Sequence, residues 1–248
     1  MAYKIPVYLF TGFLEGGKTH MIQESMESEQ FNSGDKTLII QCEEGVDELD
    51  LSAFASKNCY LELIEDPEEL TAANLTAMAK KYKADRVIIE YNGMWPLQAL
   101  YENMPANWAI FQEMMFAEAR TFIDYNRNMR SLMVDKLMNC EMVVLTRTPD
   151  NIDKDEIHKI IRGISRRAAI SYDYPDGHIE YDEIEDPLPF DVNAPIVTVA
   201  DEDKAETLPL VRRFYELGFN IEATTMTADY LRAHGIKCRK LKNLSEGS

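Results

Sequence analysis

One arrangement restricts the fold of this chain more than any other: Gly12-Phe13-Leu14-Glu15-Gly16-Gly17-Lys18-Thr19, directly after the apolar run of residues 5–10. A Gly-x4-Gly-Lys-Thr loop between a buried strand and a helix cradles phosphate, because loop N–H groups and the positive end of the helix surround the anion. In such a loop Lys18 reaches the β- and γ-oxygens of a triphosphate, and the Thr19 hydroxyl holds magnesium. Gly12, Gly16 and Gly17 let the backbone approach the phosphates closely. The same letters also occur in ordinary Gly-rich turns, and the flanking strand and helix are what separate the two readings.

Composition narrows the remaining classes. A chain of 248 residues buries one substantial core or two modest ones. Its formal charge of −17 repels nucleic acid and anionic membranes, so neither is expected as a main partner and substrate phosphates have to be met locally. No apolar stretch reaches the roughly 18 residues that span a bilayer, so membrane insertion is not expected. Residues 1–4 run straight into a strand rather than a signal peptide, and a cytoplasmic location is expected. Cys42, Cys59, Cys140 and Cys238 form no Cys-x-x-Cys pair, which favours buried thiols over disulfides or a zinc knuckle.

Strand-like runs at residues 7–10, 37–41, 60–64, 86–89, 142–145 and 196–199 alternate with helix-like stretches at 18–27, 72–81, 111–138 and 154–164. The alternation predicts an α/β fold with a largely parallel sheet, a P-loop nucleoside-triphosphatase architecture followed by a partial Rossmann-like α/β fragment. Residues 111–138 read as one long helical stretch. Its Met114, Met115, Phe116, Phe122, Met129, Leu132 and Met133 are expected to form a stripe facing the core or a partner. Residues 172–191 hold eight acidic side chains, three prolines and no Lys or Arg, as expected of a surface excursion at a domain edge. Residues 1–195 contain 18 Lys and Arg against 35 Asp and Glu, whereas residues 196–248 contain 8 against 8. The asymmetry suggests two domains of separate origin, 1–195 and 196–248.

Cleavage of a γ-phosphate needs a carboxylate near magnesium and a loop that senses the terminal phosphate. Val87-Ile88-Ile89-Glu90 is an apolar strand ending in an acid, followed by Tyr91-Asn92-Gly93. Gly93 can bring its N–H to the γ-phosphate, and Glu90 is a candidate for the magnesium shell or for positioning the attacking water. Gln41-Cys42-Glu43-Glu44-Gly45 ends another strand and offers Glu43 for the same work. A solvated loop after each strand is the plainer alternative.

In order and spacing, Thr11-Gly12-Phe13-Leu14-Glu15-Gly16-Gly17-Lys18-Thr19, Glu43-Glu44-Gly45 and Ile89-Glu90-Tyr91-Asn92-Gly93 resemble the CobW-type GTPases, relatives of the urease and hydrogenase nickel-insertion GTPases. The resemblance runs over about residues 4–195. It implies GTP and Mg2+ binding, slow GTP hydrolysis, and handling of a metal such as Zn2+ or cobalt for a client metalloprotein. The chain departs from that family at several points. A Cys-x-Cys-Cys metal motif is expected between the Glu43 segment and the Glu90 strand, and the interval has only Cys59. Cys42 beside Glu43 offers one soft and one hard ligand, with a buried thiol as the alternative. The guanine-reading Asn-Lys-x-Asp is replaced by Thr146-Arg147-Thr148-Pro149, followed by Asp150. Asp150 serves if the loop shifts by one residue, and Arg147 offers its stem to a base; a changed nucleotide preference is equally compatible. Glu15 places a negative charge in the phosphate loop, which costs affinity unless it points outward or joins the metal. His20 stands where the family has Thr, as a ligand or as a helix-surface histidine.

The tail resembles a second family. Val197-Thr198-Val199-Ala200-Asp201-Glu202-Asp203-Lys204, Leu217-Gly218-Phe219, Ala223-Thr224-Thr225-Met226-Thr227 and His234-Gly235-Ile236 are similar to the methylglyoxal-synthase-like domain of the carbamoyl-phosphate synthetase large chain. That resemblance implies phosphate contacts by Lys204, Thr224 and Thr227, although Thr-x-x-Thr at a helix start also serves as a plain N-cap. Met226 replaces a family Gly, and Lys242-Asn243 reverses the family's Asn-Lys. A β-α-β-α-β fragment ending at Ser248 is expected to dock on the first domain, pair with another chain as in a homodimer, or stay loose. Three functions remain open: a GTPase coupled to a partner or metal transfer, a degenerate nucleotide-binding switch with little turnover, and an ATP-using enzyme on the same scaffold.

Overall fold

The computed structural model describes residues 4–43, 48–182, 196–197, 199–200, 203–216 and 221–241. Glu44 and Gly45, the acidic residues from 183 to 191, and Thr198, Asp201, Glu202, Leu217-Gly218-Phe219 and Lys242-Asn243 of the tail lie outside them. The chain forms two compact units, Met1–Ile184 and Glu185–Ser248.

In the first unit β1 (Ile5–Gly12), β2 (Thr37–Gln41), β3 (Cys59–Leu63), β4 (Arg86–Glu90), β5 (Trp108–Glu118), β6 (Met142–Thr146), β7 (Ala169–Asp173) and β8 (Ile179–Tyr181) make one sheet in the order β3-β2-β4-β1-β5-β6-β7-β8. Every neighbouring pair is parallel except β7 with β8. Parallel neighbours require crossovers, and α1 (Lys18–Glu27), α2 (Ala72–Tyr82), α3 (Leu97–Asn103), α4 (Ala119–Asn128), α5 (Arg130–Leu137) and α6 (Lys154–Arg162) occupy the crossovers other than that from β2 to β3.

The period-two alternation of the central strands divides the core between the two faces of the sheet. Val7, Leu9, Leu38, Ile40, Val87 and Ile89 pack on one side with Leu75 of α2 and Leu100 of α3. Phe10, Ile39 and Ile88 point to the other, against Ile22 and Met26 of α1. Burial on both faces explains why β2 and β4 are nearly unbroken apolar runs. Thr71 caps α2 by accepting from the Asn74 N–H at 3.2 Å, and Asp153 caps α6 by accepting from the Glu156 N–H at 2.9 Å.

The expected helix over 111–138 is corrected. Its first part is β5, the strand between β1 and β6, and the rest is α4 and α5, which meet at Met129. Gln112, Glu113, Met114 and Met115 favour helix by propensity, but a slot between two parallel strands outweighs the few tenths of a kcal/mol per residue involved. The apolar side chains do enter the core, though not as one stripe. Met115, Phe122 and Met133 pack on one sheet face with Met129 and Leu132 at its margin, while Phe116 packs on the opposite face with Met114 beside it. Strands β7 and β8 carry no comparable apolar run, and β8 is exposed along its length.

The second unit is a β-α-β-α-β run: β9 (Ile196–Val197), α7 (Lys204–Glu216), β10 (Ile221–Thr224), α8 (Thr225–Ala233) and β11 (Cys238–Leu241). Its strands are parallel in the order β11-β10-β9, and Val211, Ile221, Ala223, Leu231 and Ile236 form its small core.

Candidate nucleotide site

The carboxyl ends of β1, β2, β4, β6 and β7 converge on one cleft of about 850 Å³. At the end of β1 the chain turns at Gly12, whose φ of 126° lies in the left-handed region and whose Cβ would stand 1.9 Å from the Phe116 carbonyl oxygen. No side chain fits there. The loop then winds back to Gly17, the residue before α1, so that Gly16, Gly17, Lys18 and Thr19 line the cleft beside the free N–H groups of the helix start.

Lys18 is 3% exposed, and its ammonium donates to the carbonyls of Gly12 at 3.0 Å and Phe13 at 2.9 Å. It also lies 2.5 Å from Glu43 Oε1. The other Glu43 oxygen accepts from the Gly93 N–H at 3.4 Å, so one carboxylate spans the phosphate-loop lysine and the glycine after β4. Gly93 is packed so tightly that an added Cβ would meet the Gly12 carbonyl oxygen at 2.5 Å. Glu90, 2% exposed at the end of β4, accepts from the Thr19 hydroxyl at 2.5 Å and from the Gln41 amide at 2.7 Å. Thr19, Glu43 and Glu90 are all oxygen donors, which fits a hard divalent cation. Among the described residues no group of three or more His, Cys, Asp or Glu side chains is placed to hold a metal ion. Burial pushes the Cys42 thiol up to about 12, helped by the nearby Glu90 and Glu43 charges, so at neutral pH the metal-free thiol keeps its proton.

The remaining sequence candidates divide. Glu15, with φ 61°, and His20 both line the cleft; His20 is exposed and pairs with Glu24 one turn on at 3.3 Å. Arg147, with φ 49°, turns its guanidinium onto the Glu15 carbonyl and lies 3.3 Å from Glu118 Oε2, tying the phosphate loop to the ends of β5 and β6. Asp150 sits exposed on the following turn and is not among the residues lining the cleft. Sequence reasoning missed Gln41, Thr146, Asp173 and the Tyr174–His178 ring pair. Thr146 donates its hydroxyl to the Gly16 carbonyl at 3.0 Å, and the two rings stack at 4.0 Å at the far end of the cleft. The available signal was positional: ligands of open α/β sheets sit at the carboxyl ends of strands, where Gln41, Thr146 and Asp173 all lie.

In the second unit Lys204 is buried and donates to the Met226 carbonyl at 3.2 Å, while the Thr224 and Thr227 hydroxyl oxygens are 3.4 Å apart. Thr224 precedes α8 without a side-chain capping bond, and Met226 is exposed.

A family model described as the MGS-like domain matches residues 206–248. The C-terminal section of the carbamoyl phosphate synthase large chain of Methanopyrus kandleri is 44% identical over 61 residues, 25% of this chain and 11% of that protein. The chain thus spans about a tenth of that curated relative's length. A Zn(II)-bound triple mutant of the YjiA GTPase superposes with a TM-score of 0.52 at 21% identity, covering 71% of this chain and 59% of that one. The hydrogenase maturation factor HypB from Archaeoglobus fulgidus superposes with a TM-score of 0.50 at 16% identity, covering 68% and 80%. At such identity the likeness establishes the fold. The chain therefore joins a segment resembling the MGS-like domain to a mostly parallel α/β fold shared with the YjiA GTPase and the hydrogenase maturation factor HypB.

Proposed function

We propose that this chain binds GTP with Mg2+ and hydrolyses it slowly, using the cycle as a switch. The observation that carries this reading is the bridge from Lys18 through Glu43 to Gly93, set beside the Thr19–Glu90 pair at 2.5 Å. For Lys18 to serve the β- and γ-oxygens it must loosen its hold on Glu43. The same carboxylate holds the Gly93 N–H, so arrival of a triphosphate and repositioning of the Gly93 segment become one event. Thr19 and Glu90 are the residues that would hold magnesium, with Glu43 next to them. When bound, the ion neutralises phosphate charge and polarises a coordinated water. Glu90, fixed by Gln41 and Thr19, keeps its charge directed at that point.

Metal handling for a client enters through the resemblance to the CobW-type GTPases, and YjiA is described as Zn(II)-bound. With one cysteine in the expected motif interval, we place the nucleotide switch first and transfer of zinc or cobalt to a metalloprotein as its dependent branch. A cytoplasmic location and a homodimer belong to the same proposal; among the described residues no helix is long and apolar enough to cross a membrane. Following phosphate release from GTP and ATP, with and without magnesium, tests it: slow release from GTP that needs magnesium is expected. Release that favours ATP, or ignores magnesium, would replace the reading.

The nucleotide-binding part is assigned to residues 1–195 and the MGS-like part to 196–248. A chain ending at residue 195 should keep GTP affinity within about twofold, under ~0.5 kcal/mol, since every residue assigned to the site precedes that point. Loss of GTP binding in the shortened, folded chain would contradict the division.

A further inference from the structure

Pro149 provides no carboxylate for a purine base, and Asp150 lies outside the cleft. A different aspartate lies inside it. Asp173 ends β7 one residue beyond the Leu145–Tyr172 pair, and its carbonyl accepts from the Thr148 N–H at 2.9 Å, so its backbone is fixed to the loop that leaves β6. Its side chain lines the cleft together with Thr146, Arg147, Tyr174 and His178. Its Oδ1 atom is buried and has no hydrogen-bond partner among the described residues, while the Ser171 hydroxyl donates to the carboxylate. Burial raises its pKa, the Ser171 hydroxyl opposes that rise, and Glu24 adds to it. One oxygen of this carboxylate therefore lacks a donor among the described residues, and the broad χ2 torsion of aspartate lets it turn toward one.

The wall beside it is held by hydrogen bonds. The Tyr174 N–H donates to the His178 carbonyl at 3.0 Å, the Gly177 N–H returns to the Tyr174 carbonyl at 3.0 Å, and the Tyr174 hydroxyl donates to Glu180 Oε2 at 3.0 Å. The two rings stack with an interplanar angle of 13°. A stacked aromatic pair lining the same cleft as a carboxylate with one unpartnered oxygen, in a cleft that also holds a phosphate loop, suits a base with two adjacent N–H donors. Guanine presents N1–H and the 2-amino group on one edge. Adenine presents a ring acceptor at N1, which a carboxylate repels.

We propose that Asp173 is the guanine-reading residue of this chain, accepting from N1–H and the 2-amino group in place of the carboxylate absent at Pro149. The proposal rests on the GTP-binding reading above and goes beyond it in naming the specificity-determining side chain. A site built to hydrogen-bond a substrate group rejects analogues that lack it, because its own polar atom is left unpaired.

Equilibrium titration of the full chain with GTP, inosine triphosphate and xanthosine triphosphate, all with magnesium, provides the test. The native chain should prefer GTP over inosine triphosphate, which lacks the 2-amino group, by about tenfold. Asp173→Asn should lose about tenfold or more in GTP affinity and gain a comparable factor for xanthosine triphosphate, whose 2-carbonyl accepts from the new amide. Asp173→Ala should lose GTP affinity without the gain. Equal binding of GTP and inosine triphosphate by the native chain, which needs no variant to fold, would overturn the proposal. So would an unchanged ratio of GTP to xanthosine triphosphate in Asp173→Asn. In either case, retained GTP binding that Lys18→Ala removes leaves the nucleotide site itself standing, whereas a native chain that binds none of the three overturns both.

Discussion

Lys18→Ala should weaken GTP binding by about ten- to a hundredfold and abolish measurable phosphate release. In the proposed site the lysine is the charge-assisted donor to the β- and γ-oxygens, and hydrogen bonds to charged groups contribute about 1.5–3 kcal/mol each. The same change strips two backbone carbonyls of a donor and leaves the partly buried Glu43 without its cation. A stability loss of about 1–3 kcal/mol is expected from the unpaired groups. Thermal melting should accompany the titration, and Lys18→Met, which keeps the buried stem packed, separates loss of charge from loss of packing. Native-like phosphate release in a folded Lys18→Ala chain would remove the hydrolytic reading from this cleft.

Glu90→Gln should bind GTP almost as the native chain does, yet turn over about a hundredfold more slowly or worse. The side chain keeps its shape. The Thr19 hydroxyl can go on donating to the remaining amide oxygen, and the Gln41 amide can turn to present its own oxygen to the new NH2 group, so both contacts survive. What disappears is the negative charge beside the hydroxyl that would hold magnesium. Phosphate release in single-turnover conditions, measured with binding held saturated, isolates this effect. Intact turnover in Glu90→Gln would reduce Glu90 to the end of a strand and make Glu43 the leading acid.

The legible parts of this chain are those where local chemistry and tertiary environment agree. Residues 18–27 and 37–41 are helix and strand as their patterns predict, because α1 follows directly from the phosphate loop and β2 is buried on both faces. Glu43 and Glu90 were identifiable as acids after apolar strands, and the fold brings both to Lys18 and Thr19. β5 was not legible. Gln112, Glu113, Met114 and Met115 carry no strand signal of their own, and their conformation comes from the partners β1 and β6 on either side. Gln41 and Asp173 were hidden for a related reason. Gln41 meets Glu90 only because β2 lies in register beside β4, and Asp173 enters the cleft only because β7 lies beyond β6. Strand order is a property of the whole sheet, and no local pattern in the chain announces it.

We propose that Lys18, Glu43, Gly93, Thr19 and Glu90 together form a triphosphate site. Calorimetric titration of the full-length chain with GTP and magnesium tests it most directly. One saturable site is predicted, weaker for GDP and without magnesium, and lost in Lys18→Ala. No saturable binding of GTP or ATP up to millimolar concentration, or binding indifferent to Lys18, would contradict it.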